Sequence, residues 1–446
     1  MARERIGLSE HFTLKKLLRF VMPSVVMAVF TSVYTIVDGV FVSKAVGDTA
    51  FAGLNLIFPV IMILGAAGMM FGAGGSALIA KTLGEGDKQR ANGYFSFLVC
   101  AIAVAGVVLG GFGIAVLRPV AQFLGRDATP ETVKNAVLYG FILLCGMPCL
   151  MLQYSFQSFM ITAEKAMLGF WITVAAGVLN GALDALFILG FHWELAGAAA
   201  ATVSGQAVAG VIALIYFCRP NTSLLRFCKP RCDVKSFFRA CTNGASELLS
   251  NISFSVVNML YNMQLLRLAG DDGVIAYGII MYMSTIFFNI FFGFSMGAAP
   301  PVGYHYGACN REELKNLRRK GFWIVGVLGV ALTALSAAFA DPFARIFANG
   351  EEVFALTKNG ILLYSSAYLL MGFSVFGSAY FTALNNGLVS GAISFLRSLI
   401  FQCGAVLLLP VFWGMTGVWL AATAAEIVAF CMTMTFFYAC RKKYGY

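Results

Sequence analysis

Charge is what this chain has least of. Asp, Glu, Lys and Arg make up 12% of its 446 residues, against roughly 25% in soluble domains. That shortage excludes an ordinary water-surrounded globule. Histidine is scarcer still, and His11, His192 and His305 are too dispersed to suggest a metal site. Eleven cysteines are present, yet none forms a CxxC pair. Most, such as Cys100, Cys145 and Cys149, lie in apolar runs, while Cys228 and Cys232 fall in a polar loop. They read as small apolar or incidental residues. No HExxH pattern occurs, and the glycine run Gly72–Gly75 lacks the Lys-Ser/Thr ending of a phosphate loop. No enzyme and no cofactor are expected. The polar start Met1-Ala2-Arg3-Glu4-Arg5 and the full-length first apolar run give no sign of a cleavable leader.

What is abundant is apolar sequence: 59% hydrophobic residues with a mean hydropathy of +0.81. Runs of about 20 apolar residues, enough to cross a bilayer, recur along the chain. Charge breaks, Gly and Pro place spans near 15–43, 50–80, 91–117, 132–161, 167–190 and 196–218, then 237–267, 274–304, 314–340, 353–384, 388–411 and 416–439. The expected fold is an all-α integral membrane protein of twelve helices in two six-helix lobes. Its parts are an N-terminal lobe 1–218, a basic linker 219–236 and a C-terminal lobe 237–446. The net charge is +10, but placement explains it better than nucleic acid does. Twenty-three of the 31 Lys and Arg fall on one side of these spans and seven on the other, with Arg397 inside a span. By the positive-inside rule both termini are cytoplasmic, in a multi-pass protein of the plasma membrane.

The two halves repeat. A shift of 223 pairs Gly74-Gly75-Ser76 with Gly297-Ala298-Ala299, and Leu83-Gly84 with Tyr306-Gly307. A shift of 220 pairs Phe156, Ser158 and Thr162 with Phe376, Ser378 and Thr382, and Trp193 with Trp413. An even number of spans per half makes the repeats parallel, a design that places substrate sites at the repeat interface.

Four carboxylates sit inside these apolar stretches: Asp38, Asp184, Glu247 and Glu426. Each costs at least ~2.5–3.5 kcal/mol in the bilayer core, so a function is expected of them. Asn180 and Asp184 are four apart and share a helix face. Thr202, early in the next span, can approach that face. Such oxygens suit a small cation or a shared proton. In the second half, Glu247, Arg397 and Glu426 form a polar cluster, in which a mid-span Arg needs a partner.

The motifs around these residues resemble the multidrug and toxic compound extrusion (MATE) family. They are Pro23 with Tyr34-Thr35-Ile36-Val37-Asp38, Gly72-Ala73-Gly74-Gly75 and Leu83-Gly84-Glu85-Gly86-Asp87 in the first half, and Pro300-Pro301 with Tyr304-His305-Tyr306-Gly307-Ala308 in the second. The resemblance covers about residues 15–440. It implies two six-helix lobes around a central V-shaped cavity, and export of small organic, often cationic, compounds or drugs in exchange for Na+ or H+. It also implies a cation site of Asp38, Asn180, Asp184 and Thr202, and Glu247 as the nearest match to a second-half cation ligand. The second half departs from the pattern, since a shift of 220 maps Asn180 to Ile400 and Asp184 to Gly404. The cargo cavity is expected at Gln153, Tyr154, Gln157, Asn258 and Asn289, because polar side chains in spans avoid lipid and aromatic faces attract organic cations. A monomer in the bilayer is expected. The alternative is a flippase for a lipid-linked saccharide, which would need several basic groups in its cavity.

Overall fold

The computed structural model describes residues 6–126, 128–231, 233–348 and 350–446. Arg3, Arg5 and Cys232 lie outside them. Every regular element among the described residues is helical. The order is α1 (Leu14–Val46), α2 (Asp48–Gly84), α3 (Lys88–Leu124), α4 (Pro130–Cys145), α5 (Met147–Thr162), α6 (Ala166–Asp184), a π segment (Ala185–Gly190) and α7 (Glu194–Cys218). Then come α8 (Val234–Gly307), α9 (Arg311–Phe347), α10 (Glu351–Tyr364), a 3-10 turn (Ser365–Ala367), α11 (Tyr368–Ala383), α12 (Gly387–Phe395), a second π segment (Leu396–Phe401) and α13 (Gln402–Tyr444).

Nine of these helical stretches are long and apolar enough to cross a membrane, and α4 with α5, bent by 56°, makes a tenth. The bend falls at Gly146, just ahead of Pro148, whose ring cannot continue the α4 ladder. Two of the ten stretches are double. α8 breaks at Gly270 (φ 59, ψ −149) and α13 at Gly414 (φ 53, ψ −131), backbone settings that only glycine adopts readily. Twelve membrane-crossing segments result, as the apolar runs predict.

The turns carry the repeat. Left-handed residues recur at nearly one offset: Gly47 with Gly270, Gly86 with Cys309, Glu164 with Asn385, and Glu194 with Gly414. Two helix starts match as well. Asp87 Oδ1 accepts the Arg90 N–H at 2.9 Å, and Asn310 Oδ1 accepts the Glu313 N–H at 3.1 Å. These caps satisfy backbone donors that a helix start leaves open.

The chain forms two compact units, one of Met1–Val29 with Ala245–Tyr446 and the other of Phe30–Gly244. Their boundaries fall inside α1 and α8. Glycine crossings account for this. In the unit Phe30–Gly244, a Cβ at Gly74 would collide with the Ala240 carbonyl, and one at Gly244 with the Met70 carbonyl. The start of α8 therefore lies directly on the α2 backbone. In the other unit the start of α1 lies on α8, where a Cβ at Gly293 would come 2.7 Å from Val25 Cα.

The linker is pinned rather than loose. Arg226 N–H donates to Asn92 Oδ1 at 2.8 Å, Cys228 N–H to Ser96 Oγ at 2.9 Å and Arg231 N–H to the Gly93 carbonyl at 3.2 Å. It lies along the first turns of α3. Asp233 then caps α8, accepting the Lys235 N–H at 3.0 Å and the Ser236 hydroxyl at 2.6 Å.

Candidate functional site

α1 carries Asp38, α6 carries Asn180 and Asp184, and α7 carries Thr202, all within the unit Phe30–Gly244. Asn180 and Asp184 are each 1% exposed, and Asp38 is half-buried. The side chains of Asp38 and Asp184 are within hydrogen-bonding reach of each other. Asn180 bridges the three helices. With its amide turned to match its neighbours, Nδ2 donates to Tyr34 Oη and Asp38 Oδ1, both at 3.3 Å, and Oδ1 accepts the Thr202 N–H at 3.1 Å. α6 and α7 come this close because residue 205 is glycine. A Cβ there would meet Asn180 Cβ and the Ala176 carbonyl, each at 3.1 Å.

Thr202 enters differently from its sequence reading. Its hydroxyl donates to the Ala198 carbonyl of its own helix at 3.0 Å, so the group that touches Asn180 is the backbone N–H. The threonine oxygen keeps lone pairs to offer. Asp184 Oδ1 is buried and has no protein hydrogen-bond donor among the described residues. Two carboxyl groups in contact inside a bilayer need a proton or a small cation between them, and this pocket supplies hard oxygens for either.

Two tyrosines stand near the pocket that motif reading did not assign to it. Tyr34 and Tyr139 both lie within electrostatic range of the two carboxylates. Tyr34 was findable, being four residues before Asp38 on the same face. Tyr139 comes from α4, and no spacing in the sequence points to it. Asp184 is also the last residue before the first π segment, a wide turn of the kind found at functional sites.

The second-half cluster resolves into a pair and a bystander. Arg397 Nε and Nη2 both donate to Glu426 Oε1 at 2.8 Å. The two side chains are 12% and 1% exposed, and the guanidinium also lies over the Phe288 ring, 5.9 Å from its centroid. Glu247 has no part in this ion pair among the described residues. It sits on α8, and its carbonyl accepts from Asn251 Nδ2 at 2.9 Å.

The five cargo candidates divide between the units. Gln153 and Gln157 line a small cavity with Phe156, Met160, Ile172 and Thr173, and Gln153 Oε1 and Gln157 Nε2 are buried without partners among the described residues. Tyr154, half-buried beside them, lies within electrostatic range of Tyr34. In the other unit, Asn258 Oδ1 accepts the Tyr277 hydroxyl at 2.7 Å, and Asn289 Nδ2 donates to the Thr285 carbonyl of its own helix at 2.9 Å. Each asparagine thus makes one hydrogen bond within its own unit.

The sequence profile described as MatE matches residues 23–186 and 248–405. The multidrug export protein MepA of Staphylococcus haemolyticus is 21% identical over 433 residues, covering 96% of this chain and 94% of its own. MepA of Staphylococcus aureus strain MSSA476 is 22% identical over 437 residues with the same coverage of 96% and 94%. Among solved structures, an outward-facing multidrug resistance MATE family transporter superposes with a TM-score of 0.86 at 22% identity, over 97% of this chain and 98% of that one. A MATE in the straight conformation gives 0.88 at 22% identity, over 97% and 98%. At these identities the structural likeness speaks for the fold.

Proposed function

The chain belongs to the MatE family, and from that premise we propose that it exports small organic, often cationic, compounds in exchange for Na+ or H+. The relatives it matches along nearly their whole length are multidrug export proteins, which supports drug-like cargo. One observation carries the coupling. Asp38 and Asp184 lie within hydrogen-bonding reach of each other, Asn180 ties Asp38 to α7, and Asp184 Oδ1 is left without a donor among the described residues. A cation or proton held there would alter how α1 packs on α6, and coupling requires cation and cargo to favour different states. Pro23 inside α1 weakens the helix where it would bend. Gln153 and Gln157, with their unpartnered amide atoms, are our cargo contacts. The protein acts as a monomer of two lobes, 1–218 and 237–446, in the plasma membrane, with both termini cytoplasmic, as the placement of its Lys and Arg suggests.

A lipid-linked saccharide would bring phosphate and call for free basic groups. Arg397 is the basic residue placed inside a span, and its guanidinium is bonded to Glu426, so we favour the exporter.

The test is Asp38→Asn in proteoliposomes, with a Na+ gradient or a pH gradient imposed separately and a fluorescent organic cation followed. The variant should stay folded and lose cation-driven efflux under whichever gradient drives the unaltered protein. Full efflux by Asp38→Asn would remove the role given to the pocket.

A further inference from the structure

Three helices of the unit Phe30–Gly244 step away from the carboxyl pocket in register. On α1 the four-residue steps run Asp38, Val42, Val46. On α7 they run back from Thr202 through Ala198 to Glu194. From Asp184 one such step into the π segment reaches Ile188. Each step along an α-helix is about 6 Å and nearly one turn, so residues at these steps stack on one face.

The middle layer is apolar. Val42, Ile188 and Ala198 pack into one apolar cluster, with exposures of 2%, 5% and 1%, and Phe41, Ala45, Val46 and Leu54 pack around it. The next layer is a cavity. Val46, Glu131, Asn135, Trp193, Glu194 and Leu195 line a space of about 270 Å³ at the end of α1 and the starts of α2, α4 and α7. Trp193 is 52% exposed, and Glu131 and Glu194 are exposed, so this space meets the surface. One apolar layer thus separates the Asp38–Asp184 pocket from an open cavity.

We propose that Val42, Ile188 and Ala198 form a one-turn gate through which the coupling cation exchanges between this cavity and the Asp38–Asp184 pocket. The inference rests on the coupling role given to that pocket. A layer one side chain deep excludes a hydrated cation by dewetting and opens with a small displacement. The gate also has a movable part. Ile188 sits in a π turn, whose i→i+5 ladder can revert to α geometry and carry the side chain round the helix. Val42 sits on α1, the helix whose packing the pocket controls. Occupancy of the pocket and opening of the gate would then share two elements. The glutamates at the cavity raise the local cation concentration without being required to bind an ion.

The experiment measures cation leak without cargo, in proteoliposomes of the full-length protein, with a pH dye and radioactive sodium as probes. The unaltered protein should be tight. Val42→Asn, and the milder Ala198→Ser, wet the layer and should raise the leak of the driving ion several-fold. In the double variant Val42→Asn, Asp38→Asn the leak should fall back, because the path ends on the carboxyls. Folded, monodisperse Val42→Asn and Ala198→Ser proteins that both stay tight would overturn the gate. A leak that persists in the double variant would overturn it too, by showing a hole unrelated to the pocket. Neither result touches the coupling role itself, which stands or falls on efflux by Asp38→Asn alone.

Discussion

Glu313 shows how far a residue's surroundings can depart from its neighbours in sequence. It is the third residue of α9, in a run of Arg-Glu-Glu that reads as a solvated helix start, yet it is 4% exposed. Its carboxylate accepts the Phe12 N–H at 2.9 Å and Asn316 Nδ2 at 2.7 Å, and meets His11 Nδ1 at 2.6 Å. Asn316 Nδ2 and Lys320 Nζ hold the Phe12 carbonyl. The segment before α1 is thereby fastened to α9 through both the N–H and the carbonyl of Phe12. Hydrogen bonds to a charged group contribute ~1.5–3 kcal/mol each, and they are not additive here because they share one acceptor. Glu313→Ala should lower the thermal unfolding temperature in detergent and speed proteolysis ahead of Thr13. Glu313→Gln, which keeps one acceptor oxygen, should fall between. Unchanged proteolysis in Glu313→Ala would mean the segment is held by packing of Phe12 and Phe20 instead, whose rings meet edge-on at 5.6 Å.

Among the elements, the crossing of α8 on α2 is set by two glycines with no room for a side chain. Gly244→Val should force the helices apart at a cost of at least ~1–3 kcal/mol, the usual penalty of overpacking. Gly111→Val is the matched control, because a Cβ at Gly111 meets nothing within 4 Å. A Gly244→Val protein as heat-stable as the control would show that the crossing relaxes without loss. The same crossing marks where sequence reading stops. Twelve apolar runs and the two offsets were legible because hydropathy and turn residues are local properties. The unit boundaries inside α1 and α8 were not, because they depend on which distant helix each glycine touches. The candidate site divides along the same line. The four-residue spacing of Asn180 and Asp184 puts them on one face of α6, whereas the approach of Tyr139 from α4 needs the tertiary fold. The choice of backbone over hydroxyl at Thr202 also depends on how α6 meets α7. Arg397 announces that it needs a partner but not which glutamate provides it.

Across the whole molecule, turns repeat while chemistry does not. Gly47 and Gly270, or Glu194 and Gly414, occupy matching backbone positions, so both halves are built on one plan. The first half places two carboxyl groups in contact, and the second half places one carboxylate against a guanidinium. These arrangements differ in kind. Among the described residues the first holds no positive charge, while the second contains one. A buried ion pair of this sort is weak evidence for stability, since well-packed apolar replacements of both partners are often neutral or stabilising, whereas removing one partner costs ~3–5 kcal/mol. Arg397→Met alone should therefore destabilise the protein strongly, leaving the Glu426 carboxylate buried at 1% exposure. Arg397→Met with Glu426→Leu should restore the unfolding temperature and retain cation-driven efflux. A stable double variant without efflux would move the pair from helix positioning to transport, and the second half would then hold a working charge of its own.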